Sequence, residues 1–170
     1  MKFRKDVCKV RVENMKNLGW ILLTFGLSYV VAVVGGWVTM PSLGGWYAEL
    51  QKPEFNPPNW IFGPVWSVLY TLMGLAGYLV IKDGLQGRFE RVGFGLHLGQ
   101  LILNLAWSYV FFGYQQVYNA MWILFALWFL VAGCVVWYWQ RSRWAGIVMI
   151  PYLLWISFAG VLNFAIWRLN

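Results

Sequence analysis

Thirteen tryptophans lie in a chain of 170 residues, and little ionisable chemistry accompanies them. An indole offers a broad, electron-rich face that stacks on flat apolar molecules, and one N–H that can orient them. Amides at Gln100, Asn104 and Asn163 add hydrogen bonding without charge. The single histidine, His97, has no second His or Cys placed to share a metal, so no metal site is expected and it reads as a hydrogen-bonded packing residue. Cys8 and Cys134 match neither a metal nor a redox spacing. No Ser, Thr or Cys has a His and a carboxylate positioned to activate it, which disfavours hydrolytic catalysis. These residue types point to holding a flat, hydrophobic ligand; no bound cofactor is required.

The elements that position these groups are dictated by the solvent. Of the chain, 61% is apolar, against about 45–50% in soluble domains. Five stretches, roughly 18–40, 60–81, 93–113, 119–140 and 145–167, contain no Lys, Arg, Asp or Glu. Each matches the roughly 20 residues that carry a helix across about 30 Å of hydrocarbon. Continuous apolar runs favour helices over barrel strands, whose hydrophobicity alternates. The expected fold is an all-α integral membrane protein, a five-transmembrane-helix bundle over 18–170 preceded by a basic cytoplasmic tail at 1–17. The first run is too long for a signal-peptide core and is expected to be retained.

Charge placement narrows the function. All six acidic residues, Asp6, Glu13, Glu49, Glu54, Asp83 and Glu90, fall outside the five stretches. Ion-coupled transport needs an ionisable group in the bilayer, so that class is disfavoured. Lys2, Arg4, Lys5, Lys9, Arg11, Lys16, Lys82, Arg88, Arg91, Arg141 and Arg143 collect on one side, against Lys52 and Arg168 on the other. The positive-inside rule then places the N-terminus in the cytoplasm. The net charge of +7 is accounted for by residues flanking spans, where they meet anionic lipid; no nucleic-acid partner is expected. Asp6 and Glu13 interrupt the tail as an organellar presequence, which favours a prokaryotic cell membrane.

One connection is long, from Pro41 to Asn59, and its content is ordered in character. Trp46 to Leu50 reads as an amphipathic helical turn, and Pro53, Pro57 and Pro58 stiffen the rest of the connection into a fixed lid. Trp66 and Trp107 are each six residues in from the outer ends of their spans, at a depth of about 9 Å. Asn104 and Gln100 share a helical face with Trp107, and Trp155, Phe158, Ala159 and Leu162 repeat that spacing in the last span. Three faces can converge beneath the lid. Tryptophans near span ends, such as Trp37 and Trp144, read as interfacial anchors.

The run Trp46-Tyr47, Lys52-Pro53, Pro57-Pro58-Asn59-Trp60, Phe62-Gly63-Pro64-Val65-Trp66 and Leu69-Tyr70 resembles the TspO/MBR family of tryptophan-rich sensory proteins and translocator proteins. Gly99-Gln100, Leu103-Asn104, Ala106-Trp107-Ser108 and Phe111-Phe112-Gly113 are similar to its third helix, and Pro151-Tyr152, Trp155, Phe158-Ala159 and Leu162-Asn163 to its fifth. The resemblance covers about 20–168. It implies a ligand pocket under the first loop and binding of porphyrin or haem-like tetrapyrroles. By the same resemblance Tyr47, Trp66, Asn104, Trp107, Trp155, Ala159 and Leu162 match pocket positions. Trp66 and Trp155 match tryptophans implicated in light-dependent porphyrin degradation, so a photo-oxidative enzyme is one alternative; a passive carrier of lipophilic ligands is another. The animal sterol motif is incomplete, because Phe164 stands where it needs tyrosine. Gly95 and Gly99, four residues apart, open one face of the third span to a close helix neighbour. The resemblance implies a homodimer through that helix, while packing within the bundle is the other use of the pair.

Overall fold

In a computed structural model, residues 2–170 are described, with side chains from Met15 onward. The described residues form helices and no strands: α1 (Lys2–Leu43), α2 (Trp46–Glu49), α3 (Asn59–Ile81), α4 (Arg88–Ser108), α5 (Val117–Arg141), α6 (Arg143–Ile147) and α7 (Ile150–Leu169). A π-helical turn, Tyr109–Gly113, continues α4. Among the described residues four segments are long and apolar enough to cross a membrane: Met15–Leu43, Asn59–Ile81, Val117–Arg141 and Arg143–Leu169. The third stretch of the sequence, 93–113, is not one of them, because α4 begins among Arg88, Glu90 and Arg91 and carries His97, Gln100 and Asn104 along its length.

Several boundaries differ from the sequence reading for local reasons. Helix α1 runs through Pro41, which shortens the loop; a proline in a last turn interrupts only one backbone bond. The stretch 145–167 is broken into α6 and α7 at Val148 and Met149. Pro151 sits in the first turn of α7, where it has no N–H to return to Ile147 and where a missing donor is tolerated.

Small residues set how closely the helices approach. A methyl group added at Gly74 would meet Phe25 of α1 at 2.9 Å, and one at Gly77 would meet the His97 ring at 3.0 Å. Close approach of this kind supplies packing where lipid offers no hydrophobic driving force. His97 is buried there with neither ring nitrogen hydrogen-bonded among the described residues, and the Gln100 amide is in the same position. The packing role expected of this histidine from sequence fits its place against Gly77, but the hydrogen bond expected with it is not found among the described residues. At the opposite end from the lid, Arg141 pairs with Asp83 and lies 3.8 Å from Glu90, joining the α3–α4 connection to the end of α5.

Candidate functional site

Helices α1, α3 and α7, the lid and the end of α4 surround a cavity of about 550 Å3. Its wall carries Trp66, Trp107, Trp155, Phe158, Ala159 and Leu162 from the bundle and Tyr47 from the lid. The structure thus brings together seven of the eight residues singled out from sequence. Among the described residues no Asp, Glu, Lys or Arg lines the wall. The volume falls in the range of about 300–1,000 Å3 common for small-molecule sites.

Asn104 is the eighth, and it lies behind the wall. It is 1% exposed, accepts a 2.6 Å hydrogen bond from the Tyr70 hydroxyl and donates at 3.0 Å to the Tyr152 hydroxyl. One N–H and one lone pair of the amide are thereby committed to tyrosines, and Asn104 is not among the residues lining the cavity. Its role is to brace Tyr70, which does line the cavity. Sequence periodicity placed Asn104 on the correct helix face but could not say that two tyrosines from α3 and α7 reach it first.

Three other polar side chains on the wall, Trp107, Asn163 and Ser67, are also committed. The Trp107 indole donates to Asn163 Oδ1 at 3.2 Å, and the Asn163 amide donates to the Val117 carbonyl at 2.9 Å. Ser67 donates to the Gly63 carbonyl at 2.9 Å. By contrast, no hydrogen bond within the described residues involves the indole N–H of Trp66 or of Trp155, both half-buried on the wall. Trp66 tilts against Tyr70 with ring centroids 5.5 Å apart, and Trp155 meets Phe62 edge-on at 6.1 Å and Phe158 at 5.6 Å. The site therefore presents aromatic faces with uncommitted donors, the Trp66 and Trp155 indoles deepest among them and Trp60, Asn59 and Thr39 nearer the lid.

The lid is held from three directions. Lys52 Nζ donates to the carbonyls of Tyr47, Ala48 and Leu50 at 2.6, 3.1 and 2.9 Å, which satisfies the end of α2, and it stands 4.9 Å from the Tyr47 ring centroid. The Tyr47 hydroxyl donates to Asn56 Oδ1 at 2.8 Å. Burial raises the pKa of Tyr47 to about 12. From the far end of the chain, Asn170 accepts from the Gln51 N–H at 3.0 Å and donates to the Gln51 carbonyl at 2.9 Å.

The π-helical turn supplies a part of the site that sequence did not reveal. Its wider hydrogen-bonding ring turns Phe111 and Phe112 toward the lid, where Phe111 lies 5.7 Å from Trp46 and Phe112 lies 5.6 Å from Tyr47, centroid to centroid. Ser42 of α1 captures the Phe112 carbonyl at 2.8 Å. Gln115 takes a left-handed conformation, φ 59°, as the chain leaves this turn. The α1 residues on the wall were missed as well, although a stripe of small and polar residues, Thr24, Ser28, Ala32, Gly35 and Thr39, marks the side of that helix that turns inward.

Gly95 and Gly99 do not share one environment. Gly95 is exposed and a methyl group there would meet nothing within 4 Å, whereas one at Gly99 would meet Leu130 of α5 at 3.2 Å. Gly99 therefore packs within the bundle.

An all-helical membrane protein with a wide, uncharged, tryptophan-walled cavity beneath an ordered loop is the class these features define. Residues 17–168 match the TspO/MBR family profile, and the chain belongs to that family. It is 46% identical over 132 residues to the human translocator protein, covering 74% of this chain and 75% of that one. It is 36% identical over 155 residues to the tryptophan-rich protein TspO of Chlorobaculum tepidum, covering 91% and 98%. Protein CrtK of Rhodobacter capsulatus is 34% identical over 150 residues, covering 88% and 94%.

Proposed function

We propose that this protein is a membrane-embedded receptor for porphyrin or a related tetrapyrrole, held in the tryptophan-walled cavity under the first loop. The observation that carries this reading is the wall itself: aromatic faces from several elements and, among the described residues, no charged side chain. A flat conjugated ring gains stacking area there, and the free N–H groups of Trp66 and Trp155 give it orientation. The carboxylates of such a ligand belong at the lid end of the cavity, beside Asn59 at the start of α3 and near the membrane surface, since the wall offers them no counter-charge. Tyr47, Trp66, Trp107, Trp155, Phe158, Ala159 and Leu162 make the contacts, with Asn104 acting through Tyr70. Titrating the purified protein with protoporphyrin while following tryptophan fluorescence tests this; saturable, stoichiometric quenching is expected, and linear, non-saturating quenching would refute it.

A second reading is favoured by the indoles of Trp66 and Trp155, which have no hydrogen-bond partner among the described residues. Trp66 and Trp155 stand on the wall, where an excited tetrapyrrole could take an electron from either, leaving an indole radical cation and a reduced ring; dioxygen would be the oxidant that breakdown of the ligand then needs.

The same proposal has five crossings, with α4 as the third. Its polar residues His97, Gln100 and Asn104 are all buried while Ile102 is exposed, so an inward polar face and an outward apolar one can coexist in lipid. The N-terminus is cytoplasmic and the membrane that of a prokaryotic cell, on the one-sided distribution of Lys and Arg and the acidic residues of the tail. Two copies associate through the open α4 face at Gly95.

A further inference from the structure

Tyr29, Val33, Gly36 and Met40 lie three or four residues apart along one stripe of α1, and Trp60, Gly63 and Ser67 along one stripe of α3. All seven line the cavity. Yet Val33, Met40 and Trp60 are 70%, 73% and 74% exposed. A side chain that lines a cavity and is also exposed stands in its mouth. Both helices are membrane-spanning candidates, so that mouth faces lipid and not water.

The glycines show where the seam between α1 and α3 is open. A methyl group at Gly36 or at Gly63 would meet nothing within 4 Å, whereas one at Gly74 would strike Phe25. Between the sealed part and the open part, the Tyr29 and Thr71 hydroxyls are 2.7 Å apart and hydrogen-bonded across the seam. Thr71 is one helical turn beyond Ser67, and Tyr29 one turn before Val33. The open stretch from Tyr29 to Met40 is about 16 Å long at 1.5 Å per residue. The lid, by contrast, is closed by the Lys52, Asn56 and Asn170 hydrogen bonds.

We infer that the ligand enters and leaves sideways from the bilayer through the α1–α3 seam, and that the Tyr29–Thr71 hydrogen bond is the clasp limiting its width. The inference rests on the receptor reading for its ligand but not for its geometry. The occupant this route admits is a flat, lipid-partitioned molecule, because anything passing Val33, Gly36 and Gly63 has already left water.

Two measurements in lipid nanodiscs test it. Thr71→Val removes the clasp at a residue outside the cavity wall. With protoporphyrin followed by stopped-flow tryptophan quenching, on- and off-rates should rise together by about threefold, the worth of one intramembrane hydrogen bond, with Kd unchanged. Gly63→Leu, in the mouth, should slow both. Asn170→Ala, which releases the lid from the end of α7, should alter neither; acceleration by Asn170→Ala and none by Thr71→Val overturns the seam as the route. The second measurement needs no porphyrin. In a Cys8→Ser, Cys134→Ala background, Ala159→Cys on the cavity wall is labelled with N-phenylmaleimide dissolved in the bilayer. Faster labelling with Thr71→Val and slower labelling with Gly63→Leu are expected, and equal rates in all three overturn the inference. Failure of porphyrin to saturate alongside seam-dependent labelling would refute the receptor reading and leave the route standing.

Discussion

The Tyr70 hydroxyl donates to Asn104 Oδ1 at 2.6 Å, deep between α3 and α4, and the Asn104 amide passes the chain on to Tyr152 of α7 at 3.0 Å. One amide thus ties three helices together behind the cavity wall. Replacing Asn104 by Leu leaves two buried hydroxyls without their partner. Intramembrane hydrogen bonds average about 0.6 kcal/mol each and reach about 1.7. Thermal unfolding in detergent should therefore show a loss of about 1–3 kcal/mol for Asn104→Leu, with Tyr70→Phe losing about half as much. An Asn104→Leu protein of unchanged stability but abolished porphyrin binding would assign Asn104 to the ligand instead of the brace.

Trp66 and Trp155 separate binding from photochemistry. Phenylalanine at both positions keeps an aromatic face while removing the indole donor and its low oxidation potential. Aromatic contacts are worth about 0.5–1.5 kcal/mol beyond buried area, so each single variant should bind porphyrin no more than about tenfold more weakly. Light-dependent loss of the porphyrin spectrum, where wild type shows it, should vanish in the double variant. Persistence of that loss would remove the enzymatic reading.

The lid has a predictable alkaline limit. Burial raises the pKa of Tyr47 from its usual 10 to about 12, because the closed lid excludes water from the phenolate. The neutral phenol contributes its full stabilisation below pH 10. As pH rises from 10 to about 12, the open lid loses its proton more readily than the closed one, and the contribution is lost. Hydrogen exchange over residues 46–56 should accelerate in that window beyond the intrinsic base-catalysed rate. Tyr47→Phe should abolish the excess, and an undiminished excess would place the titrating group elsewhere.

Gly95 and Gly99 divide a question that sequence left joined. Leucine at Gly95 meets open space, so folding should be preserved while the dimer is weakened, read by cross-linking in detergent. Leucine at Gly99 presses on Leu130 at a position already close for a single added carbon. Overpacking of this kind costs about 1–3 kcal/mol, and the thermal midpoint should fall. A Gly95→Leu protein that stays dimeric would move the interface to another face.

Much of this protein is legible from the order of its residues. The solvent imposes that: a helix in lipid needs about 20 apolar residues, so uncharged windows mark most crossings, and every acidic residue is forced out of them. Periodicity then places Trp66, Trp107, Trp155, Phe158, Ala159 and Leu162 on shared faces, and the prolines mark a rigid lid. What periodicity cannot supply is the identity of the neighbour across each face. Asn104 became a brace because two tyrosines arrive from other helices. Gly95 and Gly99 parted because only one of them meets Leu130. The α4 stretch fell short as an apolar span because its polar side chains are acceptable only once other helices cover them. The break at Val148 and Met149, the π-helical turn that aims Phe111 and Phe112, and the seam beside Gly36 and Gly63 likewise depend on which helices touch. Those contacts join residues far apart in sequence, and only close packing of the whole bundle selects among them.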